Sequence, residues 1–206
     1  MLSELQVSDL AIIFICILLS MGIHEAMHAF TAHWLGDTTA KDEGRLTLNP
    51  LKHIDLYTTI LLPILLILLR IPPFFIAKPV PFNPARVKYE EFGVALIGIA
   101  GPLTNFALAV VASLILRSFD VGSTLYDIFN ILVIVNLGFF VFNMIPFPPL
   151  DGSRLLYAFA PEPLQKFMYQ IESMGISAIL MFMFLFFYVL SSTIGSIIES
   201  LYNFLV

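Results

Sequence analysis

The chain is expected to fold as an all-α polytopic membrane protein, a bundle of about four to six transmembrane or re-entrant segments with a small β-hairpin near its functional centre. Composition is the first reason: 59% of the 206 residues are hydrophobic and only 12% charged, against about 25% charged in a soluble domain. The second is a mean hydropathy of +0.92. The third is the recurrence of apolar runs of about membrane-spanning length, the first closed by Gly36 and another by Pro146. A net charge of −5 argues against a nucleic-acid partner, which needs a basic surface. The one cysteine, Cys16, excludes an internal disulfide and reads as a small core residue.

The first helix is expected from about Ser8 to Leu35, ended by Gly36-Asp37. Only Glu4 and Asp9 are charged ahead of its apolar core, and no small-residue cleavage site follows, so it reads as a retained helix rather than a signal peptide. Residues 37–48 (DTTAKDEGRLTL) are polar and threonine-rich around an Asp-Glu-Gly-Arg turn, the pattern of a short hairpin. A second apolar run, Leu56 to Ile71, contains Pro63 and is short for a full crossing. The stretch holding Pro72, Pro73, Pro79, Pro81 and Pro84 cannot be regular helix. Further spans are expected over about Glu91–Leu116 and Leu125–Ile145, the latter stopped by Pro146. A mixed segment then runs to about Ser173, followed by a last apolar run, Ile176–Leu190, and a softer C-terminal helix. The whole, residues 1–206, reads as one membrane domain with its core over about 8–155.

Of the ten basic residues, all but Arg117 fall on one side if the N-terminus is outside and residues 56–71 turn back on themselves. The positive-inside bias makes that side the cytoplasm. Both a re-entrant second segment and a crossing followed by a returning loop fit the sequence.

The chemistry is concentrated at His24-Glu25-Ala26-Met27-His28. Four residues apart on a helix, His24 and His28 share a face and can hold one zinc ion, with Glu25 beside them as a general base. A catalytic zinc takes three protein ligands and keeps one position for water. An ionisable residue at membrane depth is a functional candidate, and the acids to weigh are Glu90, Glu91, Asp127 and Asp151. Glu90 and Glu91 suit a helix N-terminus, and Asp127 opens its span on the far side. Asp151, framed by Pro148, Pro149 and Gly152, falls at the depth of the histidines. Asn143 is a neutral donor able to help hold a developing oxyanion.

These elements together resemble the site-2 protease family of intramembrane zinc metalloproteases. The resemblance rests on His24 to His28, on Asn143-Met144-Ile145-Pro146-Phe147-Pro148-Pro149-Leu150-Asp151-Gly152, and on Ala100-Gly101-Pro102-Leu103-Thr104-Asn105 between them. It implies one zinc per chain held by His24, His28 and Asp151, catalysis by Glu25 and Asn143, and a membrane-protein substrate with a transmembrane segment. It also implies a prokaryotic plasma-membrane setting, and the charge bias puts the site towards the cytoplasmic side of the bilayer. The chain carries no match for the added soluble domains of larger members. Two other readings stand beside this one: a zinc hydrolase acting on a lipid or small amide, and a non-catalytic metal-binding membrane protein.

Other residues read as architecture. Gly101, Pro102 and Asn105 suit close packing and a kink, His33 and His53 interfacial positions, Trp34 an interface anchor, and Phe182–Phe187 lipid-facing or bundle packing. The expected hairpin at Thr38–Leu48 would offer an edge for pairing with an extended substrate.

Overall fold

The computed structural model describes residues 7–70 and 73–206; Glu4 and Pro72 lie outside the described residues. Four helical stretches among them are long and apolar enough to cross a membrane: Leu10–Trp34, Glu90–Leu116, Thr124–Asn143 and Ser177–Leu205. The first lies within α1 (Val7–Trp34). Its Ala26, Ala29 and Ala32 are fully buried, because small residues let helix backbones approach closely where the hydrophobic effect cannot drive association.

No strand occurs among the described residues, so the expected hairpin at 37–48 is not formed. Instead Thr39–Asp42 make a single helical turn, α2. The cause is Asp37, which is fully buried. Its Oδ1 accepts the Thr39 N–H at 3.0 Å and the Thr39 hydroxyl at 2.6 Å, while its Oδ2 accepts the Asn83 N–H at 2.6 Å. An aspartate bonding the backbone two residues on starts a turn, and here it overrides the β-preference of the threonines. The edge pairing expected there has no edge to use.

A single 3-10 turn, Pro50–Lys52, follows, and then Asp55 accepts the N–H groups of Tyr57 and Thr58 to start a wide π turn, Leu56–Leu61. It runs into α3 (Leu62–Leu68), where Pro63 sits in the first turn, a position that needs no N–H donor. The apolar helix Leu56–Leu68 is about 20 Å long, against about 30 Å of hydrocarbon. The chain then returns alongside it over residues 73–83, in neither helix nor strand. Ile76 O accepts the Thr59 hydroxyl at 2.7 Å, and Lys78 N–H reaches His53 O at 3.0 Å. Both ends of this excursion therefore lie at the same level.

The central helix is α4 (Glu90–Leu116), which packs against α1, α5 (Thr124–Asn143) and α6 (Gly152–Phe159). Ser123 caps α5 by accepting the Tyr126 N–H. Beyond α5 the chain turns through Pro146–Leu150 into α6, then into α7 (Glu162–Ser173). Arg154 on α6 is paired with Glu172 on α7. The last span is α8 (Ile176–Leu185), a π turn Phe186–Leu190, and α9 (Ser191–Leu205). Ala109, Ala112, Val133, Leu137 and Leu205 form the core between α4, α5 and α9.

Candidate metal centre

His24 and His28 lie on the buried face of α1, both more than nine-tenths shielded. Their ligand atoms and a carboxylate oxygen of Glu25 fall within 4.8 Å of one another. The turn after α5 brings Asp151 to the same point. Its Oδ2 lies 3.0 Å from His24 Nε2 and 3.3 Å from His28 Nε2, and the two Nε2 atoms are 3.0 Å apart. The turn can fold back because Gly152 rests on the end of α5, where a Cβ would come within 2.5 Å of the Met144 carbonyl oxygen.

The donor chemistry tests whether a cation belongs there. His28 Nδ1 meets the Ile97 carbonyl at 2.7 Å, and His24 Nδ1 meets Asn105 Oδ1 at 2.5 Å. Both partners are acceptors, so each Nδ1 carries the proton and each Nε2 presents a lone pair. Two lone pairs and a carboxylate oxygen converging on one point repel one another unless a cation lies between them. Ligands at about 2.0–2.1 Å from a tetrahedral zinc stand roughly 3.3 Å apart, close to all three separations seen. The residues present fit zinc.

Gly101 makes room for that point. A Cβ there would lie 2.5 Å from His28 Nε2 and 2.6 Å from His24 Nε2. The expectation that Gly101 serves close packing is met in a specific form: what approaches α4 is the imidazole pair. The other acids weighed from the sequence, Glu90, Glu91 and Asp127, are exposed and stand outside this cluster.

Glu25 is half-buried, and its Oε2 accepts the Val80 N–H at 3.1 Å. The returning segment thus reaches the cluster through its backbone. A cavity of about 580 Å³ opens on the site, bounded by His24, Glu25, Asp151, Asn143, the returning segment and the phenylalanines of α5 and the last span. A smaller one of about 150 Å³ touches Glu25, His28, Asp151 and Arg154. Asn143 donates one amide N–H to Phe139 O at 3.0 Å, at the end of α5.

His53 is fully buried within the chain, its Nε2 2.9 Å from the Thr47 carbonyl oxygen and its Nδ1 3.5 Å from an Arg45 nitrogen. Neither His53 nor His33 joins the metal cluster. Trp34 is largely exposed, as an anchor would be, whereas Phe182 is buried in an aromatic cluster with Phe142, Phe147 and Phe186 rather than facing lipid. Sequence reasoning missed the contact of Asn105 with His24 and overlooked Asn136, which bonds Asn105. Their signal was present: an amide inside an apolar span seeks a partner.

The sequence profile described as Peptidase family M50 matches residues 117–188, a stretch that contains Asn143 and Asp151. The chain is 37% identical over 172 residues to YwhC of Bacillus subtilis, named as a candidate zinc metalloprotease, covering 78% of this chain and 74% of that protein. It is 32% identical over 144 residues to Rip2 of Mycolicibacterium smegmatis, likewise named as a candidate zinc metalloprotease, covering 68% of this chain and 53% of Rip2. The zinc metalloprotease MJ0392 of Methanocaldococcus jannaschii is 38% identical over 71 residues, 34% of this chain and 21% of its own length. No solved structure matches. The level and extent of likeness to YwhC, together with four membrane-length helices, show that this integral membrane chain belongs to peptidase family M50, the site-2 protease family of zinc metalloproteases.

Proposed function

We propose that the chain is an intramembrane endopeptidase that hydrolyses peptide bonds within or beside transmembrane segments of other membrane proteins. The observation that carries this reading is the convergence of His24, His28 and Asp151 on one point, beside Glu25, inside an apolar helix bundle. His24 lies about 15 Å before the C-terminal end of α1, which supports chemistry below the bilayer surface.

His24, His28 and Asp151 would hold the ion. When bound, zinc lowers the pKa of a coordinated water to about 7 and polarises the scissile carbonyl. Glu25 takes the proton of the attacking water and passes it to the leaving amine. The Val80 N–H on Oε2 orients the Glu25 carboxylate and leaves its other oxygen free for that work. Asn143 has a second amide hydrogen beyond the one given to Phe139, and it borders the cavity, so it can donate to the developing oxyanion. The largely apolar cavity suits the side chains of a membrane segment that has locally unwound. The short helix Leu56–Leu68 and its irregular return fit a re-entrant segment better than a crossing. With that segment re-entrant, the distribution of the basic residues other than Arg117 supports a site towards the cytoplasmic side.

The test is cleavage in liposomes of a substrate carrying one transmembrane helix, with the scissile bond mapped by fragment mass. A bond within or next to the helix is the expected result. Cleavage confined to soluble loops, or of detergent-free soluble peptides alone, would contradict the proposal.

A further inference from the structure

For Nε2 to meet a metal, each histidine of the pair must keep its proton on Nδ1. His28 is held in that form directly, since its partner is the Ile97 main-chain carbonyl, which can only accept. The partner of His24 is the side-chain amide of Asn105, and an amide has two ends. Turned over, its NH2 would face Nδ1, drive the proton to Nε2 and remove the lone pair from the centre.

Two further acceptors forbid that reversal. Asn105 Nδ2 donates to Asn136 Oδ1 at 2.8 Å and points at the Ser20 carbonyl oxygen at 3.4 Å. Asn136 Nδ2 in turn donates to the Leu132 carbonyl at 2.8 Å and to the Ser20 hydroxyl at 2.9 Å. The carbonyls of Leu132 and Ser20 are fixed acceptors. Reversing either amide would press oxygen against carbonyl oxygen. Ser20, Asn105 and Asn136 are 2%, 0% and 1% exposed, so no solvent can stand in for a lost partner.

We propose that Asn136 and Asn105 form a directional relay that carries the polarity of the Leu132 carbonyl across three helices and fixes His24 in its Nδ1–H tautomer. They are positioning residues of the metal centre, not merely glue between α1, α4 and α5. The proposal rests on the reading of His24 as a zinc ligand. Ordinary outer-shell partners of metal-bound histidines are worth about 10–100-fold in metal affinity.

The experiment is zinc competition against a chelator on the detergent-solubilised full chain, with thermal unfolding of the metal-free protein run alongside. Asn105→Leu is expected to weaken zinc by about 10–100-fold, and Asn136→Leu to weaken it by less. Asn105→Asp offers His24 an oxygen from either end of its carboxylate. It is expected to hold zinc within a few-fold of wild type while unfolding at a lower temperature. A merely structural role moves unfolding and leaves zinc affinity alone. A folded Asn105→Leu with wild-type zinc affinity overturns the relay, as does an Asn105→Asp no better than the leucine variant. Should Asn105→Leu not fold, weak zinc in Asn136→Leu with retained zinc in Asn105→Asp supports the relay, and any other pattern overturns it. His24→Ala separates the underlying reading: wild-type zinc affinity there removes His24 from the ligand set itself.

Discussion

Alanine at Gly101 is a one-carbon perturbation aimed at the seat of the metal. Its Cβ would stand 2.5 Å from His28 Nε2 and 2.6 Å from His24 Nε2, where ordinary contacts begin near 3.4 Å. The imidazoles would have to retreat by the difference, 0.9 Å for His28 (3.4 − 2.5). Ligand distances in a functioning metal site hold to about 0.2 Å, so the required shift exceeds the tolerance several times over. Overpacking of this kind costs about 1–3 kcal/mol in stability, which a folded membrane bundle can absorb, whereas the site cannot. The expected result is a zinc affinity lower by more than about 100-fold, beyond the range of outer-shell changes, with cleavage abolished and the metal-free protein still folded. Zinc per chain by elemental analysis and chelator competition reads this directly. Gly195→Ala is the control, because a Cβ there meets nothing within 4 Å. A Gly101→Ala protein that binds zinc as tightly as wild type would refute the placement of the ion between the two histidines.

Val80→Pro removes the N–H that Oε2 of Glu25 accepts, in an irregular segment already flanked by Pro79 and Pro81. Losing a charge-assisted bond of about 1.5 kcal/mol should slow cleavage roughly tenfold, with zinc content unchanged; an unchanged rate would mean that this amide does not position the base. Asp37 gives a pH-dependent prediction. Burial pushes its carboxyl pKa up, but bonds from the Thr39 hydroxyl and the Asn83 and Thr39 N–H groups, with Arg86 nearby, outweigh it and hold the pKa below the usual carboxylate range. A depressed folded pKa contributes stability that is present above the unfolded value of about 3.9 and lost as pH falls through the folded value. Asp37→Asn should therefore unfold at a lower temperature than wild type at neutral pH, with the gap narrowing below about pH 4. A gap that is constant with pH would show that the charge of Asp37 contributes nothing.

The parts legible in the sequence were those governed by local rules. The spans α1, α4 and α5 follow from apolar length and from their flanking proline and glycine, and His24, Glu25 and His28 from helical spacing. Asp151 could be singled out because acids near membrane spans are few. What was not legible depended on partners distant along the chain. Threonines at 38, 39 and 47 look like strand residues until Asp37 is seen to bond both Thr39 and Asn83, a partner forty-six positions away. That His53 is enclosed by Arg45, Thr47 and the returning segment at Lys78 has no local signal either. Asn105 looks like a packing residue because its role is set by Asn136 on another helix. Gly101 could be read as a close approach, but not as an approach of two imidazoles to α4.

Glu25 is proposed to activate water at a metal held by His24, His28 and Asp151. Zinc content and cleavage of a transmembrane substrate, measured together on wild type and Glu25→Gln, test it most directly. One zinc per chain is expected in both proteins, with a loss of cleavage in the variant of about 10²–10⁴-fold, the usual contribution of a general base. A zinc-loaded Glu25→Gln that cleaves at the wild-type rate would contradict it.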